Sequence, residues 1–134
     1  MKSFHDYHLT GYEVDGQRRE LRLNLAWLYL EGDKSLQPEC LVFSGVEDYF
    51  FEHDLGVNVV YSIEEVPLLT HLEANASYFQ EEAKWGWPRF WRGSVSKTID
   101  QLRAKDAKCF ELSSSYGLSG WVIATNFGTA SSAA

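Results

Sequence analysis

The sequence contains little cysteine, no long apolar run and no recognisable catalytic motif, and each absence excludes a class of protein. Two cysteines, Cys40 and Cys109, stand in 134 residues, so a framework of several disulfides is excluded. Both lie in apolar, strand-like stretches, where a buried free thiol is the commoner state; the alternative is a single bridge between them. The longest apolar run, residues 25–30, is far below the roughly 20 residues that a membrane-spanning helix needs.

The amino terminus contains no apolar stretch of the kind that a secretory signal needs, because His5, Asp6 and His8 interrupt it. We therefore expect a cytoplasmic protein with no membrane segment. Residues 116–120 fit neither a nucleophile elbow nor a phosphate-binding loop. The sequence thus predicts no cofactor and favours a protein that is not an enzyme.

Apolar residues make up 45% of the chain and aromatic residues 15%, which suffices for the core of one domain. We predict a single domain over residues 1–127. Residues 128–134 are predicted to form a mobile tail, because GTASSAA contains no bulky side chain to bury.

The spacing of apolar residues predicts six strands and two helices, with a short hairpin turn at Asp15-Gly16. The predicted strands are 8–14, 18–30, 40–45, 57–63, 109–113 and 120–127, and the predicted helices are 67–85 and 94–105. Residues 49–51 could extend either neighbouring strand. The order βββ(β)ααββ with short connections predicts an α+β fold, a mostly antiparallel β-sheet with two helices packed on one face or end.

The formal charge of −7 is unevenly distributed along the chain. Residues 31–65 hold nine acids against one lysine, whereas residues 84–108 hold seven bases against two acids. We interpret the acidic segment as a surface that binds a basic protein at a salt-dependent rate. The predicted contact residues on the rim of a hairpin are Glu47, Asp48, Glu52 and Asp54. The alternative is that these acids form a solvated surface that keeps the protein soluble and binds no partner.

Nucleic acid is disfavoured as a partner, because the chain as a whole is acidic and no recognition-module signature accompanies its basic segment. That segment includes the aromatic stretch KWGWPRFWRG, residues 84–93, at the predicted junction of the two helices. Large rings there are expected to pack the helices on the sheet. The alternative is a small-molecule-binding protein or hydrolase with an aromatic pocket. Its ligand-binding residues would be Trp85, Trp87, Arg89, Trp91 and Arg92.

Three residues near the amino terminus, His5, Asp6 and His8, have side chains that ligate metals. A site would need a further ligand, for which the candidates are His53, Asp54 and His71. Nothing in the spacing brings these together, and hydrogen bonds to local backbone are the commoner use of such side chains. The sequence therefore predicts no metal site.

Four short stretches resemble a type of small uncharacterised bacterial protein that begins with a His-Asp strand entry and carries a Phe-x-Gly-Val strand further on. They are FHDYHLTGYEVD, LRLNLAWL, LVFSGVEDYFFEHD and NVVYSIEEV, within residues 4–66. Some small, acidic, aromatic-rich α+β proteins of this general appearance act as immunity proteins of bacterial toxin systems. The resemblance implies a non-enzymatic, cytosolic protein-binding role and carries no catalytic residue with it.

Overall fold

The computed structural model describes residues 3–29 and 38–131, in which six strands form a closed barrel. The elements are β1 (His8–Asp15), β2 (Glu20–Ala26), β3 (Glu39–Glu52), β4 (Asn58–Val66), α1 (Leu68–Glu82), a 3₁₀ turn (Ala83–Trp85), α2 (Val95–Ala104), β5 (Lys108–Tyr116) and β6 (Ser119–Ser131). The order around the barrel is β1-β2-β3-β6-β5-β4, and all neighbouring strands are antiparallel.

The predicted fold, an α+β sheet with two helices packed on one face or end, was wrong because the sheet closes on itself. Closure depends on a short contact in which His8 pairs with Val59 and Leu9 with Asn58. The Val60 N–H extends this contact by donating to the Tyr7 carbonyl at 2.9 Å. Two residue pairs between segments so distant in the sequence do not alter the apolar pattern of either strand, so the sequence does not predict the closure.

Most of the predicted elements are present, with changed ends. The hairpin turn follows Asp15, spans residues 16–19 and joins β1 and β2, and the Asp15 carboxylate accepts the Gln17 and Arg18 N–H groups at 3.1 Å. Residues 49–51 belong to β3, which is far longer than predicted. The end of the predicted second strand and most of the loop after it fall in residues 30–37, outside the described residues.

The barrel interior forms one of two apolar cores. Leu21, Leu23 and Leu25 alternate along β2 and point inward, facing Leu41 and Phe43 of β3. Burying each such side chain contributes about 1.5–3 kcal/mol relative to leaving it exposed.

The second core lies outside the barrel, between its wall and the helices. The helices contribute Leu72, Phe79, Ile99 and Leu102, and the outward faces of β5 and β6 contribute Cys109, Trp121 and Ile123. Both helices therefore cover one side of the barrel wall. None of the described helices is long and apolar enough to cross a membrane.

The predicted tail begins inside β6, because residues 128–131 pair with residues 39–42 of β3. Residues 132–134 lie outside the described part of the chain. Cys40 and Cys109 are buried free thiols, and burial raises the pKa of both. Neither thiol is therefore activated as a nucleophile.

Candidate functional site

The tryptophans of residues 84–93 divide between packing and solvent. The Trp87 ring lies 5.9 Å from the rings of Phe79 and Trp121, and Trp91 is buried with its indole N–H donating to Gln80 Oε1 at 2.8 Å. Trp85, in contrast, is 78% exposed. The rings fill the space between helices and barrel, so the predicted aromatic pocket is occupied by the protein itself.

The two arginines of the same stretch have exposed side chains but structurally engaged backbones. The Arg89 N–H donates to Asp48 Oδ2 at 3.0 Å, and the Arg92 N–H donates to Thr98 Oγ1 at 2.9 Å. The Arg92 guanidinium donates back to the Arg89 carbonyl at 2.7 Å. These contacts tie the segment to β3 and α2.

Glu47 was predicted to lie on an exposed rim. In the structure it belongs to β3 and its exposed fraction is 6%. Arg19 Nη2 donates to its Oε2, and Lys105 Nζ lies 2.8 Å from its Oε1. Two half-exposed cations from the β1–β2 turn and the end of α2 thus meet on one buried carboxylate. This arrangement joins the hairpin to the helices.

Asp48 is buried as well, and its two oxygens accept the N–H groups of Tyr49 and Arg89. Both acids are buried because β3 is irregular between Val46 and Asp48, where an additional residue interrupts the alternation of faces. Glu52, the last residue of β3, is exposed.

Asp54 is exposed but engaged in the loop after β3. Hydrogen bonds from the Asn58 side chain, at 3.0 Å, and from the Gly56 N–H, at 2.8 Å, hold its pKa below the usual range. Asn58 is 1% exposed, accepts the N–H groups of Leu55 and Leu118, and donates to the Leu9 carbonyl. Asp54 therefore supports the residue that closes this end of the barrel.

The candidate metal ligands do not converge. His5 Nδ1 lies 3.4 Å from Asp6 Oδ1, whereas His8 Nδ1 accepts the Leu28 N–H at 3.4 Å. His53 and Asp54 belong to the loop after β3, and His71 lies in the first turn of α1. Among the described residues, no three such side chains are placed to hold a metal ion.

His71 is buried against the ring of Trp121, with centroids 5.0 Å apart. Its Nδ1 lies 3.4 Å from Glu111 Oε1, and its buried Nε2 has no hydrogen-bond partner within the described residues. Burial lowers the pKa of His71, opposed by the hydrogen bond with Glu111. The imidazole is therefore neutral at pH 7.

Sequence reasoning missed an exposed surface on β4 and β5 that the helices leave uncovered. We call it the acidic wall and define it as Tyr61, Glu64, Glu111, Ser113, Ser115 and Tyr116. Glu64 and Glu111 are directly opposite each other in the register of the two strands. No lysine or arginine within the described residues forms an ion pair with either, and the neighbouring His71 is neutral.

Two exposed tyrosines lie further along the same strands, toward the start of β4 and the end of β5. Tyr61 is 59% exposed and Tyr116 63% exposed. The sequence did contain a signal for this surface. The segments 58–66 and 108–116 contain several serines and tyrosines, and Lys108 is their one basic residue. The two strands that bring Glu64 opposite Glu111 are separated in the sequence by both helices, however, and the sequence does not predict their pairing.

A groove of about 620 Å³, the β4 groove, lies beside the acidic wall. It is bounded by residues 61–65 of β4, residues 3–5 and Phe127. Another groove, of about 740 Å³, is lined only by the β1–β2 hairpin and carries charges of both signs. Of these two grooves, the β4 groove is the one lined by separate elements.

Comparisons with protein-family models, with curated proteins and with solved structures found no match to this chain.

Proposed function

We propose that this chain is a non-enzymatic binding protein that holds a basic partner protein on its acidic wall. The observation that carries the proposal is the pair Glu64 and Glu111, placed directly opposite each other on neighbouring strands. Like charges in that position destabilise a sheet. A cation supplied by a partner would remove this repulsion. The free energy that the repulsion costs the folded protein would then contribute to binding.

The other side chains of the acidic wall support a protein as the partner. Exposed tyrosines such as Tyr61 and Tyr116 give a large contact area at little cost in conformational entropy, and serines give adaptable hydrogen bonds. Tyrosine is also enriched at protein interfaces relative to other surfaces. A nucleic acid would be repelled by the same carboxylates.

The resemblance of residues 4–66 to small bacterial proteins of the immunity type fits this role. In that case the partner would be a basic toxin domain, met in the cytoplasm. The acids that would attract it are those of the acidic wall, where Glu111 contacts the neutral His71. Glu47, Asp48 and Asp54 are instead each held by two groups within the protein.

Affinity capture with matched variants tests the proposal. The tagged protein, the double variant Glu64→Gln/Glu111→Gln and the control Glu52→Gln/Glu81→Gln would be exposed to a lysate of the native host at low and high salt. The control removes the same charge from exposed positions elsewhere. We expect a basic protein retained by the parent and the control and reduced at least tenfold by the wall variant, with retention weakened by salt. Equal retention by all three proteins would refute the role of the acidic wall.

A further inference from the structure

β4 has neighbouring strands on both sides only at its beginning. On the β5 side it pairs as far as Val66, whereas on the β1 side the pairing ends with Val59 and the Val60 hydrogen bonds to residues 6 and 7. Within the described residues, no strand pairs with residues 61–66 on that side. The β4 groove runs along this open edge.

The alternation of the strand determines which backbone groups face the β4 groove. In an antiparallel strand the N–H and C=O of one residue point to one side, and those of the next residue point to the other. Val60 points inward and directs both groups toward β1. The pairing is irregular at Tyr61, after which Ile63 points inward opposite Leu112 and Glu65 lies opposite Phe110. The backbone groups of Ile63 and Glu65 therefore face the open edge.

The side chains around this edge indicate the chemistry of a strand that could pair with it. Phe4, Ile63 and Phe127 provide an apolar floor. Glu64 lies on the face of β4 opposite to Ile63, and Glu65 is exposed and also lines the groove. Because side chains alternate between the faces of a strand, the matching segment has apolar residues at every second position and cations between them.

We infer that the basic partner contributes an extended segment that pairs with the open edge of β4 as an added strand. This inference rests on the proposed function and specifies how the partner binds. Strand addition obtains affinity from main-chain hydrogen bonds and specificity from alternate side-chain pockets. The charges of Glu64 and Glu65 would protect the free edge from unspecific pairing, as charged side chains do on other edge strands.

Position 65 offers a matched pair of variants that separates the backbone from the charge. Glu65→Gln removes the carboxylate and keeps the N–H, whereas Glu65→Pro removes both, and proline is tolerated where an edge N–H faces away from the sheet. The probe is a synthetic eight-residue peptide of alternating valine and lysine, titrated to millimolar concentration and followed by NMR. We expect Glu65→Pro to weaken binding at least tenfold relative to Glu65→Gln, with equal melting temperatures for the two variants.

Amide exchange in the parent protein gives a measurement that does not depend on the folding of a variant. Bound peptide should slow exchange of the Ile63 and Glu65 amides at least tenfold. A peptide methylated on its alternate backbone nitrogens should slow exchange at neither amide. Unchanged exchange at both amides, or equal binding by Glu65→Pro and Glu65→Gln, would overturn strand addition. If capture of the basic protein still depended on Glu64 and Glu111, the proposed function would stand without it.

Discussion

β5 passes through two different surroundings, and its outward residues show the contrast. Cys109 is buried under the helices, Glu111 is 49% exposed at their margin, and Ser113 is exposed beyond it. The strand geometry is the same at all three positions, since alternate residues share a face. What differs is the cover supplied by α1 and α2 on the outside of the barrel.

The comparison separates stability from binding. The covered side uses the large aromatic rings, including Trp87, Trp91 and Trp121, to fill the space under the helices. The acidic wall keeps tyrosines, serines and opposed carboxylates exposed. Substitutions on the covered side should therefore lower stability, whereas substitutions on the wall should alter binding and leave the fold intact.

The largest effect is expected at Trp91. Trp91→Ala removes a buried ring and its hydrogen bond to Gln80, and should lower the free energy of unfolding by about 3–5 kcal/mol. Trp85→Ala is the matched control. Removing this exposed ring leaves no cavity and should change the free energy of unfolding by less than about 0.5 kcal/mol. Urea unfolding followed by circular dichroism measures both. Similar losses in the two variants would contradict the division of the tryptophans between core and solvent.

The next effect concerns the buried carboxylate of Glu47. Glu47→Ala removes the hydrogen bond from Arg19 and the ion pair with Lys105, and because both cations are half-exposed, water can solvate them afterwards. We therefore expect a loss of about 1.5–3 kcal/mol, typical of hydrogen bonds to charged groups. Glu52→Ala, at an exposed position of the same strand, should be within about 0.5 kcal/mol of the parent. Equal unfolding midpoints in urea would show that Glu47 does not join the hairpin to the helices.

Glu47 also shows where sequence reasoning ended. The strand and helix order and the hairpin at Asp15-Gly16 followed from apolar spacing and turn chemistry, which are local. β3 continues past Gly45, which has a φ of +62° and lies so close to Thr125 that a Cβ at this position would be 2.0 Å from Oγ1. Glu47 is buried at the irregularity that follows, between Val46 and Asp48. The predicted strand ended at residue 45, so Glu47 was expected on the rim of a hairpin.

Barrel closure and the acidic wall were missed for a related reason. Both depend on pairing between distant segments, β1 with β4 and β4 with β5 across two helices. The residues involved have ordinary strand patterns, so their partners are set by the whole topology. Candidate contact residues chosen from charge along the chain therefore missed Glu111.

A smaller effect is expected from the pH dependence of stability at His71, on the border between the two surroundings. Burial holds its pKa in the folded state below the ordinary value of 6.5, so the unfolded chain binds the proton more readily. The contribution of His71 to stability is then complete above pH 6.5 and decreases as pH falls from 6.5 toward the folded-state pKa. Urea unfolding at pH 7.5 and at lower pH measures it. His71→Gln should show a weaker decrease than the parent, and His5→Gln, at an exposed position, should behave like the parent.

The smallest effect has the opposite sign and tests the acidic wall directly. Glu64→Lys replaces one of two opposed carboxylates by a cation, so an attractive pair with Glu111 replaces a repulsive one. We expect the free energy of unfolding to rise by about 0.2–1 kcal/mol, the usual size of a cross-strand pair, and the gain to shrink at high salt because both side chains are exposed. The same variant should lose the basic partner, since its lysine occupies the place of the partner's cation. Glu52→Lys, with the same charge change away from Glu111, should show neither effect. A Glu64→Lys variant that is no more stable than Glu52→Lys would mean that the opposed carboxylates exert no strain, and the observation that carries the proposed function would lose its force.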